Sequence, residues 1–396
     1  MKVHSGRYLL MLIGLLVSSR AFSQRQCGAP PKNNMLYESM PSEWNGPDPR
    51  VARISKQNNR EVIWVTYSYP APNGRDDVTR AVRSQDGGRT WQPDPQYPET
   101  GPSNSEKATV LYKKGKDGLL SKSLDGGVHW IECQLNVNGL SAQQFASKVA
   151  HNDHAALALN LTATHPLDSA TIYGTLTVEI PDAYAKYIDL PGVYVSHDAG
   201  DHWFIFAPNL GGTNPVEGIQ LAIDPSNPNR MIGHGKSGLV MTMDGGKSWS
   251  PVGQQADLEA PAELKGRREE LAKRKDGASI PLYPEFTYLA LIQIEFQQGN
   301  ANVIYLVTNK GLYKTENSAR TWRLIYAGAP SYYELNSLLI DRENPSRLFL
   351  GTRDKVLVSE DGGCHFKTLF DWTRFARDHS ALLSNNSVMG DPARIR

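Results

Sequence analysis

Wherever this chain is apolar, it is apolar briefly. Residues 218–246 show the unit: an apolar run (IQLAI), a polar turn (DPSNPNR), a second run (MIGHG), a glycine turn, a third run (GLVMT) and a tight turn. The unit returns at 338–363 as LLIDRENPSRLFLGTRDKVLVSEDGG and, more loosely, at 292–317. Short apolar runs bounded by Asp, Asn, Pro and Gly are the pattern of strands joined by tight turns, so the chain reads as all-β.

The tight turn is itself a repeat. Residues 84–91 read SQDGGRTW, 123–130 SLDGGVHW, 196–203 SHDAGDHW, 242–249 TMDGGKSW and 359–366 SEDGGCHF. A sixth copy at 315–322, TENSARTW, has Asn317 where the others carry Asp86, Asp125, Asp198, Asp244 and Asp361. The residue types suit a hairpin staple. A short carboxylate accepts backbone N–H groups across the turn, glycine supplies positive φ, and the aromatic folds back as the next strand begins. These aspartates are therefore assigned a structural role. His129, His202 and His365 occupy the Thr/Ser position of their copies and are read as turn residues first.

The copies begin 39, 73, 46, 73 and 44 residues apart. The short spacings suit one four-stranded blade each. The two long ones suit a blade plus an insertion. The expected fold is a six-bladed β-propeller of four-stranded antiparallel blades, with seven blades as the alternative. It would occupy residues 44–372, with insertions at 134–153, 179–191 and 254–280, an extended segment at 24–43 and a tail at 373–396. Within the last insertion, residues 257–276 hold six basic and six acidic side chains with pairs at helical spacing, which predicts an exposed helix.

Composition adds a compartment. Lys2 and Arg7, an apolar run at 8–17, and Ala21 and Ser23 form a leader cleaved after Ser23, too short in its apolar part to span a bilayer. The mature protein is then extracytoplasmic, secreted or periplasmic, with no membrane span. The formal charge is +1 for the whole chain, and no basic stripe suggests a nucleic-acid partner. Three cysteines, Cys27, Cys133 and Cys364, allow at most one bridge, with Cys27–Cys364 one conceivable pairing.

On its repeated turns the chain resembles the Asp-box, or BNR-repeat, propellers: sialidases, two-propeller xyloglucanases, sortilin-type receptors and photosystem II assembly factors. That resemblance implies turns on the face away from the ligand, with function in the opposite loops. A sialidase would also need an arginine triad, a Tyr–Glu pair and a Phe/Tyr-Arg-Ile-Pro element. Here that element is reduced to VARIS at 51–55, which keeps Arg53 but lacks the aromatic and the proline. The departure favours a scaffold that binds a protein or a carbohydrate. The alternative is a sialidase-like or other glycoside hydrolase, with Tyr333, Glu334, Arg353 and Arg53 as diverged catalytic candidates. Tyr184, Tyr187, Tyr332, Tyr333 and Arg353 are the expected ligand contacts, joined by His151 and Asp153 from the segment HNDH at 151–154. No cofactor or metal is expected: were HNDH extended, His151 and His154 would diverge. The sequon at 160–162 is discounted because it falls in an expected core strand.

Overall fold

The computed structural model describes residues 49–57, 60–70, 77–95, 110–114, 119–181, 187–208, 210, 221–235, 238–252, 291–308, 311–327 and 335–379. The leader, Cys27, the expected helix at 257–276 and most of the tail lie outside the described residues.

The described strands form six sheets in chain order, the blades of a six-bladed β-propeller. Blade 1 holds β1 (Arg50–Gln57), β2 (Arg60–Pro70), β3 (Asp77–Ser84) and β4 (Gln92–Pro93). Blade 2 holds β5 (Leu111–Lys114), β6 (Leu120–Ser123) and β7 (Ile131–Glu132). Blade 3 is built on β9 (Ala156–Thr164), β10 (Ile172–Glu179), β12 (Val193–Ser196) and β13 (His202–Ala207), and is enlarged by β8 (Asn136–Val137) and β11 (Tyr187–Asp189). Blade 4 holds β14 (Leu221–Ile223), β15 (Met231–Gly235), β16 (Gly238–Thr242) and β17 (Ser250–Pro251). Blade 5 holds β18 (Leu291–Phe296), β19 (Ile304–Thr308), β20 (Gly311–Thr315) and β21 (Arg323–Ala327). Blade 6 holds β22 (Leu335–Ile340), β23 (Leu348–Thr352), β24 (Lys355–Ser359) and β25 (Lys367–Asp371). Two helices are described, α1 (Ala142–Ala150) and α2 (Trp372–Asp378).

First strands meet around the axis: β9 packs on β14, β14 on β18, β18 on β22, and β22 on β1. The last contact closes the ring. Apolar clusters fill the seams, and the closing one joins Val51, Ile63, Val65 and Tyr67 of blade 1 to Phe349, Val356, Val358 and Phe370 of blade 6. Polar groups lock the same seams. Arg347, at the start of β23, makes two hydrogen bonds to Glu61 of blade 1 and stacks 4.8 Å over Phe349. The Gln293 side-chain amide meets both backbone groups of Leu338, donating to its carbonyl at 2.9 Å and accepting its N–H at 2.8 Å, which joins β18 to β22.

Each repeated turn links the last two strands of its blade, the third and fourth in the four-stranded ones, and its hydrogen bonds repeat. In blade 4, Thr242 Oγ1 accepts the Gly246 N–H (2.9 Å) and donates to Asp244 Oδ1 (2.7 Å). Asp244 Oδ1 also accepts the Ser248 N–H (2.9 Å), and Trp249 Nε1 donates to the Gly246 carbonyl (3.1 Å). The turn also bonds to the turn between the first two strands of its own blade, through the Gly245 N–H and the Asn229 carbonyl at 2.8 Å. Both sets of turns therefore share one face. Gly246 has φ +91°, and a Cβ there would come within 2.2 Å of Phe206 in blade 3, so the turn also serves the seam. The degenerate turn keeps this geometry with Asn317, whose Oδ1 accepts the Thr321 N–H (2.9 Å) while Ser318 and Ala319 carry the positive φ. The His at the seventh position replaces the hydroxyl, with Nδ1 2.6 Å from the aspartate in blades 2, 3 and 6.

These bonds hold the carboxylates below the usual range. The Thr90 hydroxyl, followed by its N–H, holds Asp86 at about 2; Asp125 and Asp244 are lowered by the bonds of His129 and Ser248. For Asp198 and Asp361, burial pushes upward, but the His202 and His365 bonds outweigh it and leave both at about 2. A group depressed in the folded state contributes stability above its unfolded value, about 4, and loses it as pH falls toward its folded one. Denaturant midpoints are therefore expected to fall between pH ~4 and ~2. Asp86→Asn, which copies Asn317, should lessen that fall; a wild-type midpoint flat across this window would contradict the reading.

Candidate functional site

Blade 3 rises above its neighbour. β9 and β10 run for 9 and 8 residues, whereas β14 and β15 of blade 4 have 3 and 5. At about 3.3 Å per residue, β10 outreaches β15 by roughly 10 Å. The two faces of this sheet differ because its residues alternate. Leu157, Leu159, Leu176 and Val178 form the apolar face toward blade 2, joined there by Ile188 from β11. The opposite face starts apolar near the turns, where Tyr173 and Ala163 pack with Leu221 and Met231 of blade 4. Higher up it turns polar, with Glu179 and Asn160 exposed.

The strand register sets out that upper face row by row. Tyr187, Glu179 and Ala156 lie side by side across β11, β10 and β9. Asp189, Thr177 and Ala158 form the next row, and Thr175 with Asn160 the third. Tyr187 is 62% exposed, and Glu179, Asp189 and Asn160 are exposed as well. The Thr177 hydroxyl donates to Asp189 Oδ1 at 2.9 Å, which orients that carboxylate along the sheet. Ala156 and Ala158 are the small members of these rows.

Helix α1 stiffens the platform from behind. Ser141 and Gln144 form a capping box, each side chain bonding the other's backbone, and Phe145, Ala146 and Val149 recur at helical spacing to bury against the apolar face of β9 and β10. His151 ends the helix at φ 51°, and the Asn152 carbonyl accepts the Ala155 N–H. Gln143 Nε2 donates to the carbonyls of Asp153 (2.7 Å) and Ala155 (3.1 Å), tying helix to strand.

The expected contacts fare differently. Tyr187 stands on the platform; His151 and Asp153 are exposed in the turn that enters β9 at its upper end. That turn is a helix exit and not an extended run, so the alternation argument for His151 and His154 does not apply. Among the described residues no group of three His, Cys, Asp or Glu side chains is arranged to hold a metal. Arg353 is half-buried in the upper loop of blade 6, across the ring from blade 3, so it does not join Tyr187. Arg53 follows a bulge in β1, with its backbone opposite Trp64. Tyr184, Tyr332, Tyr333 and Glu334 lie outside the described residues. Asn160 is in a strand as expected, but its side chain is exposed and not part of the core.

No family model and no curated protein matches this chain. Solved structures do. The chain is similar to an ancestral GH74 enzyme, at 17% identity over 68% of this chain and 30% of that one, with a TM-score of 0.37. It is similar to the GH74 enzyme of Niastella koreensis at 15% identity, over 78% and 57% of the two chains, with a TM-score of 0.29. It is also similar to the GH74 xyloglucanase of Xanthomonas campestris at 13% identity, over 83% and 49%, with a TM-score of 0.26. The chain thus spans between about a third and just over half of those proteins.

Glu179, Thr177 and Asp189 are absent from the sequence-based candidates, although T-L-T-V-E at 175–179 alternates cleanly enough to place Thr177 and Glu179 on one face. Glu295, on the first strand of blade 5, also went unmarked. Burial pushes its carboxyl up to about 7 against the lowering effect of the Gln293 amide, which donates at 2.8 Å. Gln293 also ties β18 to β22, so Glu295 belongs to the seam.

Proposed function

We propose that this protein is an extracytoplasmic Asp-box propeller that acts as a non-catalytic scaffold and binds a carbohydrate on the upper face of blade 3. The observation that carries the reading is the row Tyr187–Glu179–Ala156 above Asp189–Thr177–Ala158. An exposed aromatic beside oriented hydrogen-bonding groups and small residues suits a sugar ring, apolar on its faces and polar around its edge. His151 and Asp153 would flank the ligand where β9 begins. The leader and the disulfide at Cys364 support an oxidising, extracytoplasmic location.

A glycan array on the mature protein tests this reading, followed by titration of the best ligand. Tyr187→Ala is expected to weaken binding by about 2 kcal/mol, or roughly 30-fold, and Met243→Ala, exposed on the turn face, to leave it unchanged. Undiminished binding by Tyr187→Ala would move the site elsewhere. Turnover of a glycoside by the wild type would replace the scaffold reading with the hydrolase alternative.

A further inference from the structure

We infer that Asn160 is a glycosylation acceptor, joined to an oligosaccharide while the chain is still unfolded and carrying it on the upper face of blade 3 afterwards. Residues 160–162 read Asn-Leu-Thr, the acceptor pattern with a residue other than proline in the middle. A place in an expected core strand tells against this pattern in the sequence, and the fold removes that objection. Asn160 and Leu161 are both exposed, Leu161 at 38%, beside a bulge of β9. Leu161 lies opposite Gly174 and Ala163 opposite Tyr173, which leaves Thr162 with no residue across from it. An oligosaccharide on Asn160 leaves the sheet toward solvent. It stands roughly 13 Å along β9 from the Tyr187 row, so it borders that row without depending on the carbohydrate reading above.

The third residue of the pattern supplies an independent observation. Thr162 Oγ1 is buried and has no hydrogen-bond partner. Folding takes this hydroxyl out of water and gives it nothing in return, so valine, of the same shape, would suit the fold better. Before folding the hydroxyl has a use, because a transferase that glycosylates Asn selects chains with a hydroxyl two residues further on. Its burial then fixes the order of events: transfer comes first and folding second. In the transfer, Asn160 Nδ2 attacks C1 of the first sugar of an oligosaccharide held on a polyprenyl diphosphate. The C1–N bond forms, the C1–O bond to the diphosphate breaks, the polyprenyl diphosphate departs and an amide proton passes to a base of the transferase. The disulfide at Cys364 belongs to the oxidising kind of compartment through which exported chains pass.

The full chain, once unfolded and reduced and once folded, is offered to a purified oligosaccharyltransferase with a polyprenyl-diphosphate-linked oligosaccharide, and the products are mapped by peptide mass spectrometry. The unfolded chain is expected to gain one oligosaccharide on the peptide that holds Asn160. The folded chain should gain about tenfold less, because β9 must open before the Thr162 hydroxyl is reached. Asn160→Gln and Thr162→Val should each abolish the gain on that peptide, and Thr162→Ser should keep it. A second pattern, Asn385-Asn386-Ser387, lies outside the described residues and maps to a different peptide. Refolded beside an unmodified control, the glycosylated chain should unfold at the same denaturant midpoint, since Asn160 is exposed. Thr162→Val should unfold at the wild-type midpoint or above it. No transfer to Asn160 in the unfolded chain would overturn the inference. So would a glycosylated chain that fails to refold where the control succeeds, or a Thr162→Val midpoint below the wild type, which would show the hydroxyl serving the fold.

Discussion

Replacing Trp372 with alanine is expected to remove about 3–5 kcal/mol, a large share of the stability of a typical domain. Trp372 opens α2, only 2% exposed, with its ring 4.4 Å from Tyr67 of blade 1 and 5.9 Å from Phe375. Its N–H donates to the Asp354 carbonyl at 2.8 Å, so the helix is tied to the upper loop of blade 6 while its aromatic reaches blade 1. Truncation leaves a cavity at the closing seam, where the surrounding strands are paired within their own sheets and collapse poorly. Denaturant unfolding should show a lower midpoint at unchanged slope, as a loss of stability without a change of fold requires. Arg377→Ala, on the exposed side of the same helix, is expected to stay within about 0.5 kcal/mol of the wild type. A Trp372→Ala loss below about 1 kcal/mol would mean that α2 decorates the ring and does not close it.

The turns were legible in the sequence because their chemistry is local. Asp244, its hydroxyl partner and Trp249 satisfy one another within eight residues, so the spacing of the residues is the spacing of the bonds. Asn317 was legible for the same reason, since its amide oxygen accepts the same N–H as the carboxylate would. Strands in fours follow from those turns and the apolar runs between them. The platform is different in kind. Tyr187 can be marked from its residue type, but whether Glu179 and Thr177 face a neighbour or solvent depends on how high blade 4 rises, and no local pattern in β10 encodes that. Helix α1 lies between these cases: its capping box at 141–144 is visible, yet its interior carries only two large apolar residues, Phe145 and Val149. Those two suffice because β9 and β10 supply the rest of the apolar surface. Helix α2 likewise shows a local sign, the Asp371 side chain accepting the Arg374 N–H at 3.0 Å, but its role comes from a contact with a strand some 300 residues earlier in the chain.

Cys364→Ser should produce the other large loss, about 2–5 kcal/mol, matched in the wild type by reduction with dithiothreitol. Cys364 lies in the sixth turn, its N–H donating to Asp361 Oδ1 at 3.0 Å, and it is disulfide-bonded. Cys133 is a free, buried thiol between blades 2 and 3; Cys27 lies outside the described residues, and its pairing with Cys364 is the bridge proposed here. Such a bond closes a loop over nearly the whole chain and so removes much of the freedom of the unfolded state, the term that dominates in the chain-entropy account. Cys133→Ser removes no bond and should cost far less. Burial pushes the Cys133 thiol up to about 12, so it should resist alkylation until the protein unfolds. Peptide mapping without reductant should recover Cys364 joined to the Cys27 peptide and Cys133 alkylated only in denaturant. Three alkylated thiols in the unreduced protein would remove both the bridge and the compartment argument built on it.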